Sequence, residues 1–286
     1  MSLAMQLKSI LTLAGGFFIA PLVWAAQPPS KPPTQATTSV ASAPSTVQFN
    51  YKFILIVDFK KREKILKAQN LEPTLWDKAL ARMSSEIHAG NVVDIVYKKN
   101  NLMRINSTLT PTSAIGLLIG DKKYTRESQS TLDKTGYKTY SYFEERGSDP
   151  RTTSLINYKL MNATYYVGPT IEKTEKVTSD LSDMLNVIYE GIGGTGKKSG
   201  LNFWVNSSKS AMKMQFQAAE LWDISVNGVK YKAKRYAKRT DKTDTATFEI
   251  WIDEASKIPL RYQIGLNENY GVTMLLELES FKKIDQ

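Results

Sequence analysis

Cysteine is absent from this chain of 286 residues, and histidine occurs once, at His88. Without cysteine there is no disulfide framework. Zinc and iron–sulfur centres that need thiolates are excluded as well. A single histidine excludes multi-histidine metal sites, and neither H-E-x-x-H nor G-x-S-x-G surrounds it. Beside Ala89-Gly90, His88 reads as a turn residue; the alternative role is a lone base for a serine. The chain also lacks internal repeats and any regular alternation of strand and helix that would build a parallel sheet.

The first 25 residues have the make-up of a secretory signal. Lys8 is their only charge, an apolar run follows from Ile10 to Trp24, and Val23 and Ala25 supply the small residues of a cleavage site. The expectation is a periplasmic protein cleaved after Ala25. The alternative is an uncleaved anchor in the inner membrane. The run is short of the roughly 20 apolar residues a spanning helix needs, and Pro21 interrupts it. Residues 26–47 are mostly Pro, Ser, Thr, Ala and Gln, too poor in apolar side chains to offset their ordering entropy. They read as a disordered tether, and 48–286 as a single β-rich domain large enough for its own core.

Net charge is +10, or +9 once Lys8 leaves with the signal. A basic exported protein prefers acidic partners such as lipid head groups, lipopolysaccharide or acidic wall polymers. Solubility alone is the competing explanation.

Period-two alternation dominates the rest. Val229, Tyr231 and Ala233 alternate with lysines; Phe248, Ile250 and Ile252 alternate with Glu249, Trp251 and Asp253; Leu260, Tyr262 and Ile264 alternate with Arg261 and Gln263. A last strand runs from about Tyr270 to Phe281. Asn227-Gly228 is a hairpin signal, and Asn100-Asn101, Lys134–Gly136 and Glu254–Lys257 read as turns. Helical spacing appears at Lys60–Ala68, at Leu75–Met83 behind Thr74, and at Asp180–Glu190, where Ser179 or Asp180 caps and Gly191 stops. The expected fold is mainly β: an antiparallel meander forming a curved sheet or open barrel with a few packing helices and a concave interior.

Several motifs come close to known chemistry. Gly191–Lys198 nearly matches the phosphate loop, but Lys198 stands where a Ser or Thr should meet magnesium. A helix precedes it and a strand follows, the reverse of what a phosphate loop needs. Ser210-Ala-Met-Lys213 and Lys134-Thr-Gly136 match two motifs of penicillin-binding enzymes in the wrong order, with no S-D-N between them. They read as a strand and a turn. Glu144-Glu145 and Asp180/Asp183 are paired carboxylates whose separation in space decides any glycosidase role; Glu144-Glu145-Arg146 reads as a strand end with a local ion pair. Lys230, Lys232, Lys234, Arg235, Lys238 and Arg239 form a basic stripe interleaved with Tyr231 and Tyr236. Export argues against nucleic acid, leaving a solvated strand face or a contact with acidic lipid or polysaccharide. Trp204, Trp222 and Trp251 fall on strands and read as core, or as walls of an apolar pocket.

The ordered blocks Val226-Asn-Gly-Val-Lys-Tyr231, Thr247-Phe-Glu-Ile-Trp-Ile-Asp253, Ile258-Pro-Leu-Arg261 and Leu276-Glu-Leu-Glu-Ser280 resemble the bacterial exported family called domain of unknown function 3108. Met103–Ser107, Ile115–Ile119, Tyr140–Arg146 and Asp180–Leu185 are similar to its earlier blocks. The resemblance spans roughly 86–281; Asn50–Met83 and the glycine loop depart from it. It implies an envelope protein with a curved antiparallel sheet and supplies no catalytic residues.

The combined expectation is a non-enzymatic periplasmic protein, without cofactor or metal, that binds an apolar or lipid-like envelope ligand. Its partners would be a lipid or other acidic envelope component, not nucleic acid or nucleotide. The alternatives are a structural or interaction protein with a solid core, and a hydrolase with an unrecognised site. No catalytic, cofactor-binding or metal-binding residues are assigned, and the ligand-binding residues are left open.

Overall fold

Alternation translates directly into a face. In a computed structural model, the first strand buries Phe49, Tyr51, Phe53, Leu55 and Val57 and leaves the residues between them partly exposed. Each such apolar side chain contributes about 1.5–3 kcal/mol on burial. The structure describes residues 45–284 apart from 69, 71, 73–84, 114, 117–122, 134–135, 178–179, 192–201, 218, 241–245 and 267–270. The signal, most of the tether, the helix expected at Leu75–Met83, residues Lys134 and Thr135, and 192–200 of the glycine loop lie outside the described residues.

Chain order gives β1 (Ser45–Val57), helix α1 (Phe59–Ala68), β2 (Glu86–Lys99), β3 (Leu102–Pro111), β4 (Tyr124–Asp133), β5 (Gly136–Arg146), β6 (Thr152–Asn157), β7 (Asn162–Val167) and β8 (Thr170–Lys176). Then come β9 (Leu181–Asp183), a short helix α2 (Met184–Asn186) that runs into a π-helical turn (Val187–Gly191), β10 (Asn202–Asn206) and β11 (Ala211–Gln215). The C-terminal strands are β12 (Glu220–Val226), β13 (Val229–Ala237), β14 (Thr247–Asp253), β15 (Pro259–Leu266) and β16 (Val272–Ile284).

Thirteen of these strands form one sheet, in the order β12-β13-β14-β15-β16-β1-β2-β3-β4-β5-β6-β7-β8. Every adjacent pair is antiparallel. Two meanders are thus joined where β1 pairs with β16, and the expected antiparallel fold is present as an open, unclosed sheet. Asn227 and Gly228 have φ of 49° and 76°, the left-handed pair that a tight hairpin requires.

The sheet curls strongly. Tyr262 on β15 and Arg126 on β4 are five strand spacings apart, about 24 Å along a flat sheet. Yet they interact across the interior. Inside the curl lies a second sheet, β11-β10-β9, whose β9–β10 pair is parallel. Phe203, Phe216 and Phe248 link it edge-to-face to β14, with centroids 5.9 Å apart at both contacts.

Three expectations need correction. The helix expected from Asp180 begins at Met184, because Leu181–Asp183 pair with β10; Asp183, not Ser179 or Asp180, accepts the Asn186 N–H as its cap. The strand β1 starts at Ser45, so the last residues assigned to the tether are paired. Trp204 and Trp222 are 39% and 43% exposed, on outward positions of β10 and β12, and only Trp251 is buried.

Candidate functional site

Among the described residues, none of the near-motifs assembles a reactive centre. Ser210 closes the turn between β10 and β11, where its carbonyl accepts from the Ser207 N–H and hydroxyl, and Lys213 follows on an exposed strand position. His88 is exposed on β2, not in a turn: Ala89 is an extra residue between the pairs Phe53↔Gly90 and Ile54↔His88. Its Nε2 lies 3.0 Å from the Gly90 carbonyl and 3.2 Å from Asn91 Oδ1. Glu144 is buried and Glu145 exposed, on opposite faces of β5, with Arg146 3.9 Å from Glu144. Asp183 is buried and accepts from Ser128 (2.5 Å), Thr139 (2.7 Å) and Asn186, whereas Asp180 pairs with Lys138 at 2.9 Å. The basic stripe on β13 is partly neutralised. Arg235 forks onto Glu249 (2.9 and 2.8 Å) and reaches Glu220, and Lys238 donates to the Ala246 carbonyl. Among the described residues no group of three or more His, Asp or Glu could hold a metal ion.

A cavity of about 420 Å³ opens at the end of the concave face where β1 begins. Register accounts for its walls. Val47 faces Val96 on one side and Lys283 on the other, and Phe49 faces Phe281. Ile258 and Pro259, at the start of β15, complete the apolar lining. Tyr189 of the π-helical turn packs on Phe49 with centroids 5.0 Å apart and forms the wall nearest the core. Lys98, Lys257 and Lys283 also line the cavity with a single carboxylate, Glu190, which pairs with Lys98. The lining therefore carries a positive excess, which raises the local concentration of anions.

Deeper in the curl the core turns polar. One cross-strand row reads Phe49, Asp94, Ser107, Arg126 and Glu144, from β1 to β5. All five point into the interior. Tyr189 connects this row to the cavity: its hydroxyl donates to Asp94 Oδ2 at 2.7 Å and lies 3.2 Å from the Tyr51 hydroxyl. Arg126 Nη2 donates to Ser107 Oγ at 3.0 Å. Burial pushes the carboxyls of Asp94 and Glu144 above the usual range, against the opposing pull of Arg126 on Asp94 and of Arg146 and Arg126 on Glu144. Burial also disfavours the Arg126 cation. Tyr124, Tyr142, Tyr262 and Asp94 outweigh it and hold that guanidinium above its ordinary value.

Four polar atoms around Arg126 have no hydrogen-bond partner: Arg126 Nε, Asp94 Oδ1 and the hydroxyls of Tyr124 and Tyr262. The Tyr262 hydroxyl is close enough to the guanidinium, and the Tyr124 hydroxyl to Glu144, to be influenced by them, but neither makes a well-formed hydrogen bond there. A buried polar atom left unpaired costs about 1–3 kcal/mol, so this interior is expensive as it stands. The remaining unpartnered side-chain atoms recorded among the described residues, Asn186 Oδ1 and Trp251 Nε1, lie elsewhere: Asn186 packs on Asp183, and Trp251 packs on Trp222 and Arg235.

Sequence reasoning left the ligand-binding residues open and passed over this row. A signal was available at Asp94, the one charge in the apolar alternation of Val92 and Val96.

No family model matches the chain, and no curated protein matches it. Among solved structures it is similar to a domain described as an outer membrane lipoprotein-sorting protein domain from Vibrio parahaemolyticus. That match covers 83% of this chain and 85% of the other at 10% identity and a TM-score of 0.20, a score at which neither fold nor function transfers. No helix among the described residues is long and apolar enough to cross a membrane.

Proposed function

We propose that this chain is an exported, non-enzymatic binding protein of the bacterial envelope whose ligand is an acidic amphiphile. The observation that carries the reading is the cavity at the start of β1. Its volume of about 420 Å³ suits a small apolar ligand. Its walls are Val47, Phe49, Val96, Ile258 and Phe281, and three lysines stand beside them against one glutamate. An apolar body in the cavity with an anionic group drawn by those lysines satisfies both parts of the lining. The signal-like first 25 residues support delivery to the periplasm. The curved antiparallel sheet agrees with what the resemblance to domain of unknown function 3108 implies.

The rival reading, an interaction protein with a solid core, fits the middle of the sheet, which Tyr51, Phe53, Met103, Ile105 and Tyr262 fill. It does not fit the open end.

Organic extraction of the purified protein followed by mass spectrometry, together with titration of a fluorescent fatty acid, tests the proposal. A stoichiometric amphiphile, or saturable probe binding that Val47→Trp weakens at least tenfold by filling the cavity, is the expected result. A protein that yields no lipid and binds no probe removes the proposal.

A further inference from the structure

The interior around Arg126 is built like a receptor rather than like a core. Asp94 is fully buried, and Tyr262 and Tyr124 are 1% and 8% exposed. Each of the three carries an atom without a partner, as does Arg126 Nε. Arg126 faces this interior and yet keeps some accessible surface. Three of the four unpartnered groups are donors: a guanidinium N–H and two phenol hydroxyls. The fourth is a carboxyl oxygen of Asp94, whose partner oxygen is already engaged by Tyr189.

Folding does not demand these hydroxyls. Phenylalanine at 124 or 262 would fill nearly the same volume and remove an unpaired hydroxyl. Arginine offers a planar fork that matches a carboxylate, and charge-assisted hydrogen bonds are about twice as strong as neutral ones.

We infer that the unpartnered groups of Arg126, Tyr124, Tyr262 and Asp94 together receive a carboxylate group. The guanidinium and the two phenols donate to its oxygens, Asp94 faces it as a protonated, neutral acid, and the charge of the ligand balances that of Arg126. The carboxylate belongs either to a small free acid or to the polar end of an aliphatic chain lodged in the cavity beyond Tyr189. The second source rests on the proposed function; the first does not.

The test uses the purified full chain, stripped of lipid, with three probes at neutral pH: acetate, decanoate and methyl decanoate. Calorimetry should show decanoate binding at least tenfold more tightly than its ester. Tyr262→Phe and Tyr124→Phe should each weaken decanoate five- to tenfold and leave the ester unchanged. Both variants should melt no lower than the parent, because each removes a hydroxyl that has no hydrogen-bond partner within the chain. Equal affinity for decanoate and ester overturns the inference while leaving an amphiphile-binding cavity intact. So does a clear fall in melting temperature in both variants, which would make the hydroxyls structural. Acetate binding without any affinity for either ten-carbon probe upholds the carboxylate site and removes the amphiphile reading. No binding by any probe removes both.

Discussion

Asp94 and Arg126 lie two strands apart in one cross-strand row, with Ser107 of the intervening strand between them. The Ser107 hydroxyl takes a hydrogen bond from the guanidinium and stands close enough to the carboxyl to favour its charged form. The two side chains are thus held apart by an intervening strand instead of collapsed into a direct fork. The arrangement leaves an oxygen of Asp94 and a nitrogen of Arg126 unspent.

Protonation of Asp94 should govern part of the pH dependence of stability. Burial raises its native pKa, so the folded chain keeps a proton that the unfolded chain has released. The stability from this source is complete below the ordinary aspartate value of about 3.9. It is lost as pH rises through the raised native value and is constant above it. Asp94→Asn cannot titrate there. The stability of this variant relative to the parent, from urea unfolding, should therefore rise from about pH 4 toward neutrality. A relative stability that falls over that window would show that Arg126 dominates and Asp94 is ionised.

The two tyrosines at the centre of the interior should respond oppositely to loss of their hydroxyls. Tyr51 donates to the Pro259 carbonyl at 3.2 Å and its oxygen lies 3.2 Å from the Tyr189 hydroxyl. Tyr51→Phe is expected to cost roughly 1 kcal/mol or more. Tyr262, whose ring sits 5.5 Å from that of Tyr51, loses nothing in Tyr262→Phe. Chemical denaturation of the two variants side by side measures the contrast, and equal losses would contradict the hydrogen-bond assignment.

Asp183 ties the helical turn to the sheet. Its carboxylate accepts from Ser128 and Thr139 on β4 and β5 and caps the helix through the Asn186 N–H. Asp183→Ala removes the cap and strands three buried donors, for an expected loss of about 2–4 kcal/mol. Because Tyr189 stands six residues further along the same turn, loosening there should also weaken probe binding. Thermal melts and fluorescence titration of the variant report both effects.

The C-terminal strands were legible because each is alternating and ends in recognisable turn chemistry, as at Asn227-Gly228. The polar row was not, because its members are contributed by strands distant in sequence. Arg126 sits in Tyr124-Thr-Arg-Glu-Ser128, where inward Arg126 and outward Glu127 look alike to a periodicity argument. Only the curl of the sheet, which brings Tyr262 over Arg126, shows which face is interior. The helix boundary at Asp180 was misplaced for a similar reason. Pairing with β10, a long-range event, outcompetes local helical spacing over three residues. The exposed Trp222 escaped because hydrophobicity alone does not reveal an outward position on an edge strand; there it packs on Trp251 and Arg235.

Gly90 should tolerate no side chain. A Cβ there would stand 2.4 Å from the Thr110 carbonyl oxygen and 2.9 Å from the Pro111 Cα, both backbone atoms that cannot rotate away. Gly90→Ala is expected to push β2 and β3 apart at the bulge and to cost about 1–3 kcal/mol, the usual range for overpacking. A variant as stable as the parent would mean that β3 ends before this contact in solution.

The pairing of β1 with β16 has a consequence for how the molecule is made. Asn50 and Ser280, joined by a side-chain hydrogen bond, are 230 residues apart in the chain. Contacts so distant in sequence slow the search for the native state. Until the last strand docks, β1 presents a bare ladder of amide and carbonyl groups along a hydrophobic ribbon that includes Phe49, Phe53 and Leu55, the kind of edge that recruits other chains. Newly made molecules thus have a vulnerable interval that ends only with their final strand. Truncation before Val272 should make that interval permanent and appear as aggregation in light scattering.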